Sequence, residues 1–496
     1  MKQQLLKSSF FRVIEIVIIT IISLLLTPYL ISHLGDDNYG LWVLILSTLG
    51  WFNFLDLGFS YAVQRHIMLA LENRDNQSIN VIFSVSAVLF AILGLVAALC
   101  VLILAMFPQI LGVDNERQLT AGVVLSILAF KIFLDFVMNC FYGFYTAYLR
   151  MDIDANLSTL NTIIKSVLVY FFIIDMNIYG AVAATIIADI STHSMKAYFA
   201  RKLHPDFHFS LKLVRFSKVK ELFSYSKHLV AADIANSLNR RVDPIIISHL
   251  LGLKFVALYT VVNNLVNQIE SLVLAITGIF QPVFTRMVTR GNDVNGMFKQ
   301  VVSINYFVVL LFYTPLAIFA EDFILLWIGA EYATAANLAY ILGFAYICRT
   351  ISRPINALLL AQANHKLLSV ANLAGAVINV ILSLWLGILW GLYGVAIATA
   401  CAFFISDVVL YLLLLKRYTN MPILTPLLQF FLISGLYGFS VLAGKQILLY
   451  IPPLSWLELL VASGISVILM VCVAWLLVLS VETRSKLVNI ILTKES

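Results

Sequence analysis

The segment Pro28-Tyr29-Leu30-Ile31-Ser32-His33-Leu34 returns 216 residues later as Pro244-Ile245-Ile246-Ile247-Ser248-His249-Leu250, with five of seven positions unchanged. Each copy closes a long apolar run, and an aromatic residue, Tyr39 or Phe255, opens the next run at the same offset. A second echo lies further along. Tyr179-Gly180 with Ala184-Thr185 reappears as Tyr393-Gly394 with Ala398-Thr399, at an offset of 214. A proline or a Tyr-Gly pair at a helix end is common enough to explain one such match. It does not explain two matches at nearly one offset and at equivalent places. The chain therefore reads as two related halves.

The runs themselves are membrane helices. Of the 496 residues 61% are hydrophobic and 12% charged, about half the charge of a soluble domain. Three soluble domains would need more charge to cover their surfaces. The apolar residues instead fall in blocks of about 20 or more, the length that crosses a hydrocarbon core of about 30 Å. Open sheets are excluded there because lipid cannot satisfy a strand edge, and the ten-residue alternation of a barrel is missing. Fourteen spans are expected, at 11–33, 39–65, 80–106, 119–146, 156–175, 178–200, 226–250, 254–285, 299–320, 333–361, 367–389, 392–416, 424–446 and 455–480. The first, from Val13 to Ile31, is too long for a signal-peptide core and lacks a small-residue cleavage site, so it reads as a retained helix. Six helices per half give both halves one orientation, as parallel repeats related by an axis along the membrane normal. Such repeats place a substrate site near the midplane between lobes. The expected division is an N-lobe at 1–200, a basic amphipathic linker at 201–225, a C-lobe at 226–417, and two extra peripheral helices with a cytoplasmic tail at 418–496.

Lysine and arginine set the orientation. With the N-terminus inside, 23 of the 32 fall in cytoplasmic segments, three (Arg117, Lys254, Lys445) in outer loops and six within spans. That bias is the positive-inside pattern, and an even number of spans puts the C-terminus inside as well. The polar stretch from Arg201 to Lys227, which contains the linker, carries Arg201, Lys202, Lys212, Arg215, Lys218, Lys220 and Lys227 between apolar residues such as Phe209, Leu211 and Phe216. Such a segment can lie on an anionic leaflet; a solvated linker accounts for it equally well. The five cysteines, Cys100, Cys140, Cys348, Cys401 and Cys472, sit in apolar segments with no CxxC spacing, so neither disulfides nor a metal site is implied. No cofactor is expected, and no nucleic-acid partner.

Charge within the spans costs at least about 2.5–3.5 kcal/mol near the bilayer centre, so it needs a partner or a wet cavity. The cations are Lys131, Lys165, Arg240, Arg241, Arg349 and Arg353; the anions are Glu15, Asp56, Asp135, Asp189, Asp233, Asp243, Glu270 and Asp407. Lys131 and Asp135 are four apart on one helix face and can neutralise each other, and Asp243 is near enough to serve Arg240. A buried ion pair explains these as well as a ligand does. Arg349 and Arg353 are also four apart, but their like charges repel. They imply carboxylates from another helix or an anionic ligand, whose phosphate or carboxylate suits the guanidinium fork. With Arg240 and Arg241 they point to a cationic central cavity. Asp56 and Glu270, in the equivalent second and eighth helices, and Glu15 and Asp189 are candidates for ion coupling, since a carboxylate in a low-dielectric site can carry a proton. Pro28 and Pro244 occupy the same turn of helices one and seven and are candidate hinges. Pro315 and Pro354 lie within helices nine and ten.

Several motifs carry a family resemblance. Leu34-Gly35-Asp36-Asp37-Asn38-Tyr39-Gly40-Leu41-Trp42, then Asp56-Leu57-Gly58-Phe59-Ser60 and Arg65, resembles the opening of the Wzx-type polysaccharide-unit (O-antigen, repeat-unit) flippases of the multidrug/oligosaccharidyl-lipid/polysaccharide (MOP) exporter superfamily. Leu326-Trp327-Ile328-Gly329-Ala330-Glu331-Tyr332 and the two Tyr-Gly-x4-Thr helix openings resemble further elements of that family, so the resemblance spans essentially the whole chain. It implies a V-shaped, two-lobed bundle that moves an undecaprenyl-diphosphate-linked oligosaccharide across the bacterial inner membrane by alternating access. It also implies a cationic cavity, membrane lipids and a polysaccharide polymerase or ligase as partners, and, by carry-over, Arg12 and Arg65 as basic residues at the cytoplasmic helix ends. Lys131, Arg240, Arg241, Arg349 and Arg353 complete the expected anion-binding set. Three alternatives compete. A drug or cation antiporter of the same superfamily would favour carboxylates and aromatics over arginine. A peptidoglycan lipid-precursor flippase is hard to separate on sequence. A membrane glycosyltransferase or polymerase needs larger outer loops than this chain has; Asp36-Asp37 and Asp152-Ile153-Asp154 are more simply polar helix ends than metal motifs.

Overall fold

The computed structural model describes residues 2–226, 230–278, 280–362, 365–419, 421–479 and 483–485; the side chains of a few residues within them, Asp233 and Arg240 included, lie outside the described set. The chain forms two compact units, Met1–Ala257 and Leu258–Ser496. In the first, α1 (Lys2–Leu34), α2 (Asp36–Trp51), α3 (Phe59–Glu72), α4 (Asn76–Met106), α5 (Gln118–Ala147), α6 (Met151–Met176) and α7 (Ile178–Leu203) are followed by the short α8 (Phe216–Ser226), α9 (Val230–Arg241) and α10 (Asp243–Leu251). α11 (Leu253–Thr277) straddles the boundary. The second unit continues with α12 (Phe280–Thr289), α13 (Asn295–Trp327), α14 (Ala330–Ala333), α15 (Leu338–Thr350), α16 (Ser352–Ala361), α17 (His365–Phe403), a π-helical stretch at Phe404–Leu410, α18 (Tyr411–Tyr418), α19 (Leu424–Leu448) and α20 (Trp456–Leu477). No strand occurs among the described residues.

Among the described residues, eight helices are long and apolar enough to cross a membrane, nine if α2 and α3, bent by 48° to each other, form one span. Their outward residues are large and apolar, as lipid requires: Leu25, Leu119, Phe171, Ile388, Phe439 and Leu457 are all exposed. The chain is a multi-pass, all-α membrane protein. Helical segments also occupy the remaining expected places, but they are broken or polar. α7 carries Asp189, His193 and Lys196, while α9, α15 and α16 carry the arginines. The count of fourteen thus depends on helices that composition alone does not qualify.

Local chemistry explains several boundaries. Asp75 accepts from the backbone N–H of Ser78 at 2.9 Å and from its hydroxyl at 2.6 Å, capping α4, an interaction of about 1 kcal/mol. Ser455 and Glu458 form a reciprocal cap on α20, with the Glu458 carboxylate accepting from Leu454 N–H at 2.7 Å. The repeat is visible in the backbone. Asn177 (φ 53, ψ −134) and Gly391 (φ 57, ψ −135) adopt one left-handed conformation 214 residues apart. Gly180 and Gly394 then let the following helix lie directly against a carbonyl of the preceding one, Phe172 or Leu386; a Cβ at either position would collide with it. Gly35 (φ 72) and Gly252 (φ 97) likewise both precede a helix with positive φ.

In the first unit α4 packs along α5, α6 along α7, and α1 along α6. α9 and α10 pack on α2, so this unit includes the seventh expected span. Gly40 permits that approach, since a Cβ there would meet the Leu253 carbonyl. The linker is pinned to α4. Phe207 stacks on Phe144 at 4.8 Å and meets Phe83 at 4.6 Å, while His208 and Ser210 donate backbone N–H groups to Asn80 and Ser84 at 2.9 and 3.1 Å. Its apolar residues Phe209, Leu211 and Phe216 stay exposed. In the second unit α13 is the hub for α15, α19 and α20, and α19 and α20 keep wide apolar faces uncovered. α1 runs through Pro28 without interruption, whereas Pro244 lies in the first turn of α10, just after a one-residue interruption at Val242 that keeps a helical backbone. The two prolines therefore sit in different local geometry, because Pro is accommodated without loss only in a first helical turn.

Candidate functional site

Each unit buries a charge network of its own. In the first, three helices converge. Lys131 on α5 lies 2.6 Å from Asp135 and 3.1 Å from Asp189 on α7. His193, one turn beyond Asp189, reaches Asp135 at 2.9 Å. Asn161 on α6 donates to Asp189 at 2.8 Å and to Thr192 at 2.9 Å. Lys165, one turn further along α6, lies within electrostatic reach of both Asp189 and Lys131. Lys131 is thus neutralised in place by two carboxylates, which leaves its ammonium little capacity for an exogenous anion. The network joins all the charged groups at the middle of α5, α6 and α7, where hydrocarbon would otherwise make each costly.

The second unit treats its arginines differently. Arg353 on α16 forms an ion pair with Glu270 on α11, a carboxylate only 5% exposed. Arg349, one turn earlier, lies over the ring of Phe403 with its guanidinium carbon 4.8 Å from the centroid. It has no carboxylate partner among the described residues. An aromatic face attracts a cation, by about 0.5–2 kcal/mol, but does not neutralise it. Beside the arginines Asp407, 8% exposed, accepts from the Ser352 and Ser406 hydroxyls at 2.6 Å each, on the π-helical stretch. π-turns inside helices recur at functional sites. Tyr346 donates to Asn267 at 2.6 Å and Tyr411 to Asn372 at 3.0 Å, so tyrosines line the surroundings.

The remaining expected residues are scattered. Asp56 sits in the 3₁₀ turn between α2 and α3, accepting from the Ser60 hydroxyl at 2.7 Å and its N–H at 3.3 Å. It caps α3 across the bend, a local structural role. Glu15, 4% exposed, pairs with Arg12 at 2.8 Å on α1, and Arg12 itself is 62% exposed. The Arg241 guanidinium rests on the backbone of α2 at Gly50, where any Cβ would displace it. Arg65 is exposed near the end of α3. The side chain of Arg240 lies outside the described residues. The structure brings together Lys131 with Asp189, and Arg353 with Glu270. Asn161, His193, Ser352 and Ser406 were not anticipated. Their signal was a polar side chain one helical turn from a charge (Asn161 before Lys165, His193 after Asp189) or directly beside one (Ser352 beside Arg353, Ser406 beside Asp407).

An all-α membrane chain built on a repeated half has counterparts of the same fold among solved transporters. An inward-facing multidrug resistance MATE family transporter of the MOP superfamily superposes with a TM-score of 0.68 at 16% identity, covering 82% of this chain and 98% of its own. The lipid II flippase MurJ, in an inward closed conformation, superposes with a TM-score of 0.67 at 16% identity, over 96% of this chain and 98% of its own. A family model described as polysaccharide biosynthesis protein matches residues 5–288, more than half of the chain, and the chain belongs to that family. The uncharacterized membrane protein EpsK of Bacillus subtilis (strain 168) is 23% identical over 413 residues, covering 80% of each chain. The chain is thus a member of the polysaccharide biosynthesis protein family with the fold of these membrane transporters.

Proposed function

We propose that the protein moves a polyprenyl-diphosphate-linked oligosaccharide repeat unit, of the undecaprenyl class, from the inner to the outer leaflet of a bacterial plasma membrane for O-antigen, capsule or exopolysaccharide assembly. The observation that carries this reading is Arg349. Its guanidinium lies over an aromatic face and makes no ion pair with a carboxylate among the described residues. Such a charge is stabilised by an anion that arrives and leaves, and a diphosphate fits the guanidinium fork. Arg353 joins by exchanging Glu270 for the ligand, which makes substrate entry and the release of a carboxylate one event. That carboxylate, and Asp189 and Asp135 around Lys131, are the groups through which a proton or another cation couples to transport. Arg241 and Arg240 complete the anion-binding set, and both termini face the cytoplasm, where most of the Lys and Arg lie.

The test is leaflet exchange of a fluorescent lipid-linked oligosaccharide in proteoliposomes. The Arg349→Ala/Arg353→Ala variant is expected to lose at least about tenfold in rate, the loss of one or more charge-assisted contacts. Unchanged exchange sinks the assignment. Lipid II and cationic drugs, run in the same vesicles, separate the glycan reading from those suggested by the fold neighbours.

A further inference from the structure

Between α3 and the linker helix α8 lies an open groove of about 640 Å³, lined by Arg65, His66, Leu69, Ser217, Lys220 and Ser224. Two helices that are distant in sequence build it. Phe59 on α3 meets Phe223 on α8 with ring centroids 6.0 Å apart, which sets the spacing. His66 ties the walls together. Its Nδ1 faces the Ala62 carbonyl at 2.8 Å and its Nε2 faces the Glu221 carboxylate at 3.0 Å. Glu221 is also gripped by Lys218, whose ammonium donates to both carboxylate oxygens at 2.8 Å. The Lys218 bonds hold the Glu221 carboxyl below its ordinary range, with His66 adding to the effect. The one acid of the groove is thus consumed by Lys218 and His66. Lys220 is exposed and has no ion pair among the described residues, and Arg65 stands across from it on α3. Two serine hydroxyls complete a wall of donors, and Leu69 gives the groove an apolar side.

We propose that this groove is a docking subsite for the diphosphate of the lipid-linked substrate, occupied before the substrate reaches the arginines of the second unit; this rests on the function proposed above. Cations on two separate helices, with serines one turn to either side of Lys220, match an anion with two charged centres better than the single charge of a phospholipid phosphodiester. The volume leaves room beyond the diphosphate for the first sugar. Arg74 just beyond α3 and Arg201, Lys202, Lys212 and Arg215 in the chain leading to α8 add basic charge near these helices in sequence, which suits a groove on the cytoplasmic leaflet, where such an anion is concentrated. The linker helix thereby becomes part of substrate capture rather than only a connection between halves.

The experiment measures saturation curves for leaflet exchange of the fluorescent lipid-linked oligosaccharide by the full-length protein, in vesicles with and without phosphatidylglycerol. Farnesyl diphosphate binding in detergent is followed in parallel by tryptophan fluorescence. Arg65→Gln/Lys220→Gln raises the half-saturating concentration about tenfold, by more than it lowers the maximal rate, and Lys220→Gln alone, at an exposed site, gives a smaller rise that Lys220→Arg restores. The proposal is overturned by an unchanged half-saturating concentration. A difference between wild type and variant that disappears when phosphatidylglycerol is omitted also overturns it, since the groove then holds an ordinary phospholipid. Farnesyl diphosphate binding that depends on Arg65 and Lys220 in a protein showing no exchange supports the groove while removing the proposed function.

Discussion

The pair Arg353–Glu270 offers the sharpest test of how the second unit holds its charge. Glu270 is nearly inaccessible, and Arg353 reaches it from a helix 83 residues further along. Glu270→Gln replaces the carboxylate facing the guanidinium with a neutral amide; Arg353→Gln removes the guanidinium facing the carboxylate. Removing one partner of a buried pair costs about 3–5 kcal/mol, whereas removing both costs much less because no naked charge remains. The low end, about 3 kcal/mol, suits each single change here, since glutamine keeps one hydrogen bond. For a unit of this size that corresponds to a thermal midpoint roughly 6–12 °C lower. Glu270→Gln/Arg353→Gln should fall short of the summed losses by about 2–3 kcal/mol, the coupling of residues in direct contact. The assay is thermal unfolding of purified protein in one detergent, all four sequences side by side. Additive losses refute the pair. Exchange kinetics add a second reading: Glu270→Gln should lower the half-saturating substrate concentration by freeing the arginine, and Arg353→Gln should raise it. Movement of both in one direction removes Arg353 from the anion site.

Other outcomes follow from single features. Phe403→Asp should hand Arg349 a carboxylate and raise the half-saturating concentration for the anionic substrate about tenfold or more, measured by exchange, while Arg349→Lys should also weaken it by losing the fork. Gly391→Asn should be tolerated within about 1 kcal/mol, because Asn177 already holds that backbone conformation. Gly394→Ala should instead cost at least about 1–3 kcal/mol in thermal unfolding, since its Cβ meets the Leu386 carbonyl. Glu221, with its folded carboxyl held below the ordinary value of 4.5 first by Lys218 and then by His66, contributes stability that is present above that value. That contribution is lost as pH falls through the folded value. Limited proteolysis of the linker at Arg215 or Lys218 should accelerate over that acid range in the native protein, and in Glu221→Gln it should already be fast at neutral pH and change less with acid.

The membrane class and the repeat were legible because both depend on long-range patterns of composition. Pro28 with Pro244 and Gly180 with Gly394 mark equivalent helix ends whatever the packing. Asn177 and Gly391 escaped notice because a shared backbone conformation leaves no trace when the residues differ. The charged residues were easy to find and hard to pair. Lys131 with Asp135 was readable, being local on one helix. Asp189 as a second partner of Lys131, and Glu270 as the partner of Arg353, depend on how helices rotate and at what depth they cross, which periodicity does not specify. Asp56 has a local role that periodicity also leaves unread. Its carboxylate answers the open end of α3 next to it, and the helix break that creates that end is set by Leu57 and Gly58, both at positive φ.

The repeat also explains why the two units handle charge so differently. At the offset of 214 that joins α6 and α7 to α17, Asp189 corresponds to Phe403 and Lys165 to Asn379. Where the first unit has a carboxylate to receive Lys131, the second has a benzene ring, and it is that ring on which Arg349 rests. Where the first has a further ammonium, the second has an amide that donates to Thr399 at 3.1 Å. One ancestral arrangement of three helices has thus been filled in two ways. In the first unit Lys131 is matched by two acids, a composition suited to holding or passing a cation. In the second the acid at this place has been exchanged for an aromatic face that stabilises a guanidinium without discharging it. The asymmetry between equivalent positions, rather than the number of arginines, is therefore what favours the proposed anionic cargo over a cationic one.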